Sequence, residues 1–241
     1  MTLTEYQNKR NFNNSPEPEG KAADDFGKLS FVVQRHKASR LHYDFRLEME
    51  GVLKSWAIPK GPSLNPADKR LAMRVEDHPY VYKDFQGVIP AGNYGAGIVE
   101  IWDQGYYTDS ENSGNNAEKK LLKAVKAGHL KIILHGNKLK GEFALVKLKA
   151  KEDNAWLLIK HKDTYAVHED YDSEAATPKN SPINQLLSEN TKKKLKKLHA
   201  SPHENSKPIY RPCWSKKLIS LLMTRTGYLK LNGTDIGQLL N

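Results

Sequence analysis

A mainly β domain, a small antiparallel barrel or sandwich, is what this sequence predicts, and three observations predict it. Leu41–Glu50 alternates apolar and polar residues without a break. Several more short strand-like runs follow, each bounded by Gly, Pro, Asn or Asp. Only one segment within that region, 117–127, has the spacing of a helix. Many short strands punctuated by turn residues belong to closed or double-layered antiparallel folds.

The elements follow in order. Residues 1–27 are polar around Asn13-Asn14-Ser15-Pro16-Glu17-Pro18-Glu19-Gly20, too polar to bury a core, and are expected to be a disordered arm. From Leu29 to about His161 the chain reads as strands. In Leu41–Glu50, Leu41, Tyr43, Phe45, Leu47 and Met49 point to one side, and His42, Asp44, Arg46, Glu48 and Glu50 to the other. Gly51 ends that strand at a hairpin, and Val52–Ile58 returns. A second alternating run sets Leu71, Met73 and Val75 against Arg70, Ala72, Arg74 and Glu76. Further strands are expected at 97–102, 130–135, 142–149 and 155–161. The helix 117–127 carries Leu121, Leu122 and Val125 on one side and stops at Gly128. Residues 169–207 are rich in Ser, Asn, Pro and Lys, with a basic run at 192–197, and read as a linker with one short helix over 183–198. Residues 208–241 fit no element. The expected divisions are therefore 1–27, 28–168, 169–207 and 208–241.

Composition narrows the function classes. The 241 residues carry 38 Lys and Arg against 28 Asp and Glu, a formal net charge of +10. Such a balance points to a polyanionic partner, most often nucleic acid. The single cysteine, Cys213, allows no disulfide within the chain and fits a reducing compartment. No apolar run reaches the ~18 residues of a membrane span, and Met1–Arg10 is too polar for a secretion signal. The expected location is the cytoplasm, at the nucleoid, with no membrane partner.

The polar face of the first clear strand carries the chemistry. His42, Asp44 and Arg46 stand at i, i+2 and i+4 and project from one side. His36 shares its parity with Gln34. Two imidazoles and a carboxylate form an N,N,O ligand set that suits Mn²⁺, Fe²⁺ or Zn²⁺ and leaves positions open. Arg46 beside them can make a bidentate pair with phosphate. The second alternating strand offers Arg70, Glu76 and His78 on its polar face, with Tyr82 beyond. A His there can donate a proton to a leaving oxygen, or bind a phosphate oxygen while charged. His-x-Asp alone is more often a solvated strand face; His36, Arg46 and the second His-bearing strand raise the metal reading to equal standing. Gly92-Asn93-Tyr94-Gly95-Ala96-Gly97 reads as a turn, since it lacks the setting of a phosphate-binding loop. Trp56, Trp102 and Trp156 can stack on bases, but their strand positions favour core packing. Lys54, Lys60 and Lys69 add basic surface.

Two stretches make a resemblance specific. Phe31–Ser63, FVVQRHKASRLHYDFRLEMEGVLKSWAIPKGPS, and Lys69–Gly97, KRLAMRVEDHPYVYKDFQGVIPAGNYGAG, closely resemble the 3′-phosphoesterase module of bacterial ligase D, and WLLIK at Trp156–Lys160 agrees. The likeness covers about residues 5–168. It implies a compact antiparallel β-barrel and a manganese-dependent phosphodiesterase and phosphomonoesterase of non-homologous end joining. Such an enzyme removes a 3′-terminal ribonucleoside and then the 3′-phosphate, leaving a 3′-OH. Mn²⁺ is the implied cofactor, with other divalent transition metals as alternatives. The implied partners are DNA 3′ ends, with Ku and a DNA ligase. Carried over by position, His36, His42 and Asp44 match the metal ligands. Arg46, His78 and Tyr82 match the essential phosphate-site residues, and Lys60, Arg70, Glu76 and Gln34 the supporting polar ones. The arm departs from the family's Lys-Arg-Asp-Phe at Asn11, in Lys9-Arg10-Asn11-Phe12, while Arg10 and Glu17 are kept. The alternative expectation is a non-catalytic module that binds DNA ends and positions them for a ligase or Ku.

The same resemblance bears on the tail. Thr226–Asn241, TGYLKLNGTDIGQLLN, admits a back-translation that reads WLFEIKWDGYRAIAE in another frame. That string resembles the Lys-x-Asp-Gly-x-Arg adenylation motif of ligase D. Arg211–Trp214 and Leu222–Thr226 shift in the same way. The expectation is a frame-shifted start of a ligase domain from about Arg211, and no ligase activity in this chain.

Overall fold

The computed structural model describes residues 2–20, 28–111, 114–149 and 153–186. Within them lie nine strands and three α-helices. The strands are β1 (Ser30–Lys37), β2 (Leu41–Met49), β3 (Val52–Ile58), β4 (Lys69–Pro79), β5 (Gly87–Ile89), β6 (Gly97–Asp109), β7 (His129–Gly136), β8 (Lys140–Lys147) and β9 (Ala155–Lys160). The helices are α1 (Leu3–Asn8), α2 (Ala117–Ala127) and α3 (Pro182–Leu186). All strand pairings are antiparallel. The order β1-β2-β3-β4-β9-β8-β7-β6 returns to β1, so eight strands close a barrel, and β5 pairs only with β6. Closure removes the free edges that an open sheet exposes. The mainly β barrel expected from the sequence is the observed fold.

Alternation on β2 holds as read. Tyr43, Phe45 and Leu47 face inward and are almost fully buried beside Trp56 of β3, Phe143 of β8 and Trp156 of β9. Fully burying a side chain of this size is worth about 1.5–3 kcal/mol, and every barrel strand but β4, which supplies Ala72, contributes large apolar residues to one interior. The three tryptophans of the expected core are all in it. Met49 pairs with Val52, leaving Glu50 and Gly51 as a two-residue turn with φ of 55° and 68°. Two left-handed residues in a row are the turn that matches strand twist, and they explain the glycine. Leu121 of α2 is buried against the barrel, with Leu122 and Val125 packed beside it, and Gly128 is the C-cap.

Three expectations are corrected. On β4 the simple alternation does not hold. Ala72 stands opposite Trp156 in the core, and Arg74 stands opposite Trp56 with its guanidinium 4.6 Å from the ring centroid. Ser55 pairs with Val75 but Leu53 pairs with His78, so two steps on β3 oppose three on β4. This β-bulge reverses parity. Arg70, Ala72 and Arg74 therefore face inward, while Val75 and His78 face outward, and Arg70 does not share a face with His78 as expected.

The amino-terminal arm is not a disordered lead-in over residues 2–20. It starts with a capping box, Thr2 and Glu5 exchanging side-chain-to-backbone bonds, and it lies on β4. Tyr6 is 0 % exposed and forms a small outer cluster with Leu53 and Tyr82. A polar segment with too few apolar residues for a core of its own is ordered by the barrel it covers.

Residues 169–186, expected to open the linker, also pack on the barrel. Ile183 and Ser173 are fully buried, and α3 rests on β6. The expected helix over 183–198 is represented by α3, and its remainder lies outside the described residues. So do residues 21–27, the basic run 192–197, Cys213 and the whole of 208–241 with its frame-shift reading.

Candidate metal and phosphate site

The outer face of the β1–β2 hairpin carries the site. Its register sets His36 opposite His42 and Gln34 opposite Asp44, so His36 and Asp44 are diagonal neighbours. The polar parity read along each strand thereby converges. His36, His42 and Asp44 each present one ligand atom, all within 4.8 Å of one another. His36 Nδ1 lies 3.6 Å from Asp44 Oδ2, and His42 Nε2 lies 3.7 Å from Asp44 Oδ1.

Hydrogen bonds decide which nitrogens carry protons. His36 Nε2 is 2.9 Å from the carbonyl of Gly95, and His42 Nδ1 is 3.1 Å from the carbonyl of Arg40. A carbonyl only accepts, so each imidazole donates there and turns its lone pair inward. Burial, ahead of Asp44's opposing pull, pushes His42 below its ordinary pKa and keeps it neutral. Burial pushes Asp44 up, but the Arg46 guanidinium, His42 and His36 outweigh it and hold the carboxylate well below the usual range. With both rings in the neutral form, two lone pairs and an anion converge. That donor set fits a divalent cation, and the backbone carbonyls fix the ring orientations as outer partners of metal ligands do. The described residues can thus hold a metal ion at this triad.

Arg46 stands next to it. Its Nη2 donates to Asp44 Oδ2 at 3.2 Å, Nε to Gln34 at 2.7 Å and Nη1 to Ser55 Oγ at 2.9 Å. Gln34 spends its own amide on the carbonyls of Tyr82 and Phe85, which holds the turn Tyr80–Asp84 over the barrel wall. The Tyr82 ring lies 5.0 Å from the Arg46 guanidinium, and its hydroxyl donates to Glu17 of the arm.

His78 joins this cluster because of the β4 bulge. Its Nδ1 donates to the carbonyl of Glu76 at 2.9 Å, and its Nε2 accepts from Arg10 Nη2 at 3.3 Å. Burial first, then Arg46 and Arg10, push its pKa well below the ordinary value. As folded, the neutral imidazole is the favoured form. Two guanidiniums already supply the positive charge. Glu76 is the anchor of the arm, with one oxygen on Arg10 at 2.9 Å and the other on Lys9 at 3.1 Å. Arg10 also binds Glu17 at 3.1 Å and sits over the rings of Tyr6 and Tyr94.

The contacts therefore unite Gln34, His36, His42, Asp44, Arg46, Glu76, His78 and Tyr82. Lys60 and Arg70 make no hydrogen bond or ion pair with this cluster among the described residues. Arg70 turns to Asp68 at 2.8 Å and to the carbonyl of Tyr171 at 2.7 Å. Sequence reasoning missed Ser55, which bridges Arg46 and the His78 ring; a small polar residue next to Lys54 on a strand otherwise apolar was its signal. The carbonyls of Arg40 and Gly95 left none, because backbone acceptors are set by the turns. Asn11 is exposed and accepts from the backbone N–H of Asn13, so the departure in the arm lies outside the cluster.

Comparison with known proteins agrees with the geometry. Residues 34–147 match the model of the DNA ligase D 3′-phosphoesterase domain. The chain is 49 % identical over 164 residues to the multifunctional non-homologous end joining protein LigD of Pseudomonas aeruginosa, 67 % of this chain and 19 % of that protein. It is 42 % identical over 163 residues to the LigD of Mycolicibacterium smegmatis, 67 % and 21 % of the two chains. The chain thus matches about a fifth of the length of these relatives. The triad, Arg46 and His78 all lie inside the span, residues 34–147, that is similar to the DNA ligase D 3′-phosphoesterase domain.

Proposed function

We propose that this chain is a metal-dependent phosphoesterase that heals DNA 3′ ends in non-homologous end joining. It would remove a 3′-terminal ribonucleoside and then the 3′-phosphate to leave a 3′-OH. One observation carries the reading: Arg46 sits in direct contact with a three-ligand metal set. A module that merely gripped phosphate would need the arginine but not two imidazoles whose lone pairs are aimed at one point.

His36, His42 and Asp44 would hold the metal, with Mn²⁺ the proposed ion. When bound it supplies a Lewis acid for a phosphoryl oxygen and a site for water. In the phosphatase step a water oxygen bonds to phosphorus, the bond from phosphorus to the 3′ oxygen breaks, and that oxygen leaves with a proton. Arg46, already oriented by Gln34 and Ser55, donates to the oxygens that gain charge. Arg10 and His78 wall the same space. A phosphate dianion against His78 would raise its pKa and return the proton that the guanidiniums disfavour. Tyr82 is a positioning residue, its ring beside Arg46 and its hydroxyl on Glu17. Lys60 and Arg70 are proposed as supporting cations for the DNA strand. Ku and a DNA ligase are the proposed partners, and the cytoplasmic nucleoid the proposed location; no helix among the described residues is long and apolar enough to cross a membrane.

Release of inorganic phosphate from a 3′-phosphorylated primer annealed to a template, with and without Mn²⁺, tests the reading. Mn²⁺-dependent release is expected. Tight DNA-end binding with no release under any divalent metal would leave the non-catalytic end-binding module instead.

A further inference from the structure

The outer face of the barrel carries a second feature, along β1 from the metal triad. Tyr106 of β6 is 41 % exposed, one of four large hydrophobic residues so exposed among the described residues. Its ring is stacked on His135 of β7, with centroids 4.4 Å apart and planes 11° from parallel. The exposed Lys28 lies 5.0 Å from the Tyr106 ring centroid, and the exposed Lys140 is the cross-strand partner of His135. Two cations thus flank a flat pair of rings.

The backbone builds this platform. Gly105 pairs with Gly136 in the register step before Tyr106 with His135. A Cβ on Gly105 would strike the backbone of His135, and a Cβ on Gly136 would strike Asp103 and Phe31. With glycine at both positions β6 and β7 close up, and the next pair of side chains meets flat. Asp103 reinforces the turn beyond by accepting from the N–H groups of Asn137, Lys138 and Leu139.

Its placement relates it to the site. Tyr106 pairs with Ser30 of β1, and Ser30, Gln34 and His36 share one outward face. Six residues separate Ser30 from His36, or ~20 Å of strand at about 3.3 Å per residue. A DNA strand whose 3′ terminus lay at the triad could reach this spot with a base a few nucleotides inward. Exposed aromatic rings beside lysines suit an unpaired base with its flanking phosphates, since stacking is tolerant of sequence and the phosphates are anionic.

We propose that Tyr106 and His135, flanked by Lys28 and Lys140, form a stacking platform for an unpaired base of the DNA strand whose 3′ end is processed. The platform rests on the end-healing reading for its substrate. It sets strand length preference and takes no part in the chemistry.

The test uses the full chain and its variants Tyr106→Ala and Tyr106→Phe on two substrates, a 3′-phosphorylated oligonucleotide of a dozen residues and a 3′-phosphorylated dinucleotide too short to span. For the long substrate, Tyr106→Ala should raise KM about tenfold with kcat unchanged, the size expected for one lost base–aromatic stack. Tyr106→Phe should behave as wild type, and the dinucleotide should not distinguish the three proteins. Equal loss on both substrates, or no loss on the long one, overturns the platform. Should wild type release no phosphate from either substrate, the end-healing reading falls. The platform is then judged by fluorescence anisotropy with the unphosphorylated oligonucleotide in chelator. An affinity about tenfold weaker in Tyr106→Ala sustains it, and an unchanged affinity overturns it.

Discussion

His36 donates its Nε2–H to the carbonyl of Gly95, 2.9 Å away, and thereby turns Nδ1 toward Asp44. His42 does the same through Arg40, so the triad is arranged for a cation before one arrives. His42→Ala and Asp44→Ala should each weaken Mn²⁺ binding by more than about a hundredfold, because even partners outside the ligand shell are worth ~10–100-fold. Calorimetric titration with Mn²⁺ checks this. Both side chains lie on the outer face, so neither change opens a core cavity, and the metal-free variants should keep a cooperative thermal transition. Wild-type Mn²⁺ affinity in either variant would remove that residue from the ligand set.

The triad was legible because β2 alternates cleanly and its outer face is polar throughout. Parity alone told which side His42, Asp44 and Arg46 share. That His36 faces His42 needed the hairpin register, which no single strand carries. β4 defeated the same logic. Met73 and Ala72, neighbours of opposite parity, are both fully buried, so neither face looks like solvent in the sequence. The bulge after Val75 then flips His78, with no glycine or proline between the two residues to announce it. The arm was illegible for a different reason. Arg10 is held by Glu17, Glu76 and two aromatic rings, all supplied by tertiary contact, and a polar stretch gives no local sign of such partners.

Paired substitutions test the two face assignments. Phe45→Asp should unfold the domain, since an unpaired charge in the core costs several kcal/mol, comparable with a total stability of ~5–15 kcal/mol. On β4, Ala72→Glu should be as damaging, whereas Leu71→Glu, on a partly exposed side chain, should cost far less. Urea denaturation of the three variants reads this directly. The reverse ranking on β4 would restore the simple alternation and remove the bulge from the account.

Arg10 should matter to stability as well as to any phosphate chemistry. Its side chain is 4 % exposed and bridges Glu17 and Glu76, themselves 0 % and 3 % exposed. Removing one member of a buried ion pair leaves the other uncompensated, at about 3–5 kcal/mol. Lys9 remains on Glu76 and should hold Arg10→Ala near the lower figure. The variant should also become sensitive to limited proteolysis within residues 2–20, where the wild-type arm is held. Unchanged cleavage and unchanged stability would mean that the arm is anchored by Tyr6 alone.

DNA binding should fall steeply with salt and depend little on sequence, because the net charge of +10 and the lysines of the outer face address phosphates. Anisotropy titrations across a salt series, on two unrelated sequences of equal length, would show parallel declines. A flat salt response would remove the electrostatic reading of the surface.

The last prediction concerns the segment after the barrel. Arg35 binds Glu100 through Nη1 at 2.9 Å and Glu174 through Nε at 2.9 Å and Nη2 at 2.6 Å, while Tyr43 donates to the same Glu174 carboxylate. Glu100 in turn accepts the backbone N–H of Ile183. These bonds fasten residues 173–184 across the barrel. Burial pushes the Glu174 carboxyl up, but the bonds from Arg35 and Tyr43 outweigh it and the net shift is downward. A carboxyl whose folded pKa is depressed binds its proton more weakly in the fold. Its stabilisation is therefore complete above the unfolded value of ~4.3 and is lost as pH falls through the folded value. Glu174 is more than a third exposed, so solvent screens the pair. Its charge-assisted bonds should together contribute about 2 kcal/mol rather than their full sum. Glu174→Gln should accordingly be about 2 kcal/mol less stable than wild type at neutral pH, and the two should converge as pH drops below ~4. Urea denaturation at neutral and acid pH measures the gap. A gap that persists unchanged into acid would show that Glu174 acts through shape and neutral hydrogen bonding, with its charge contributing nothing.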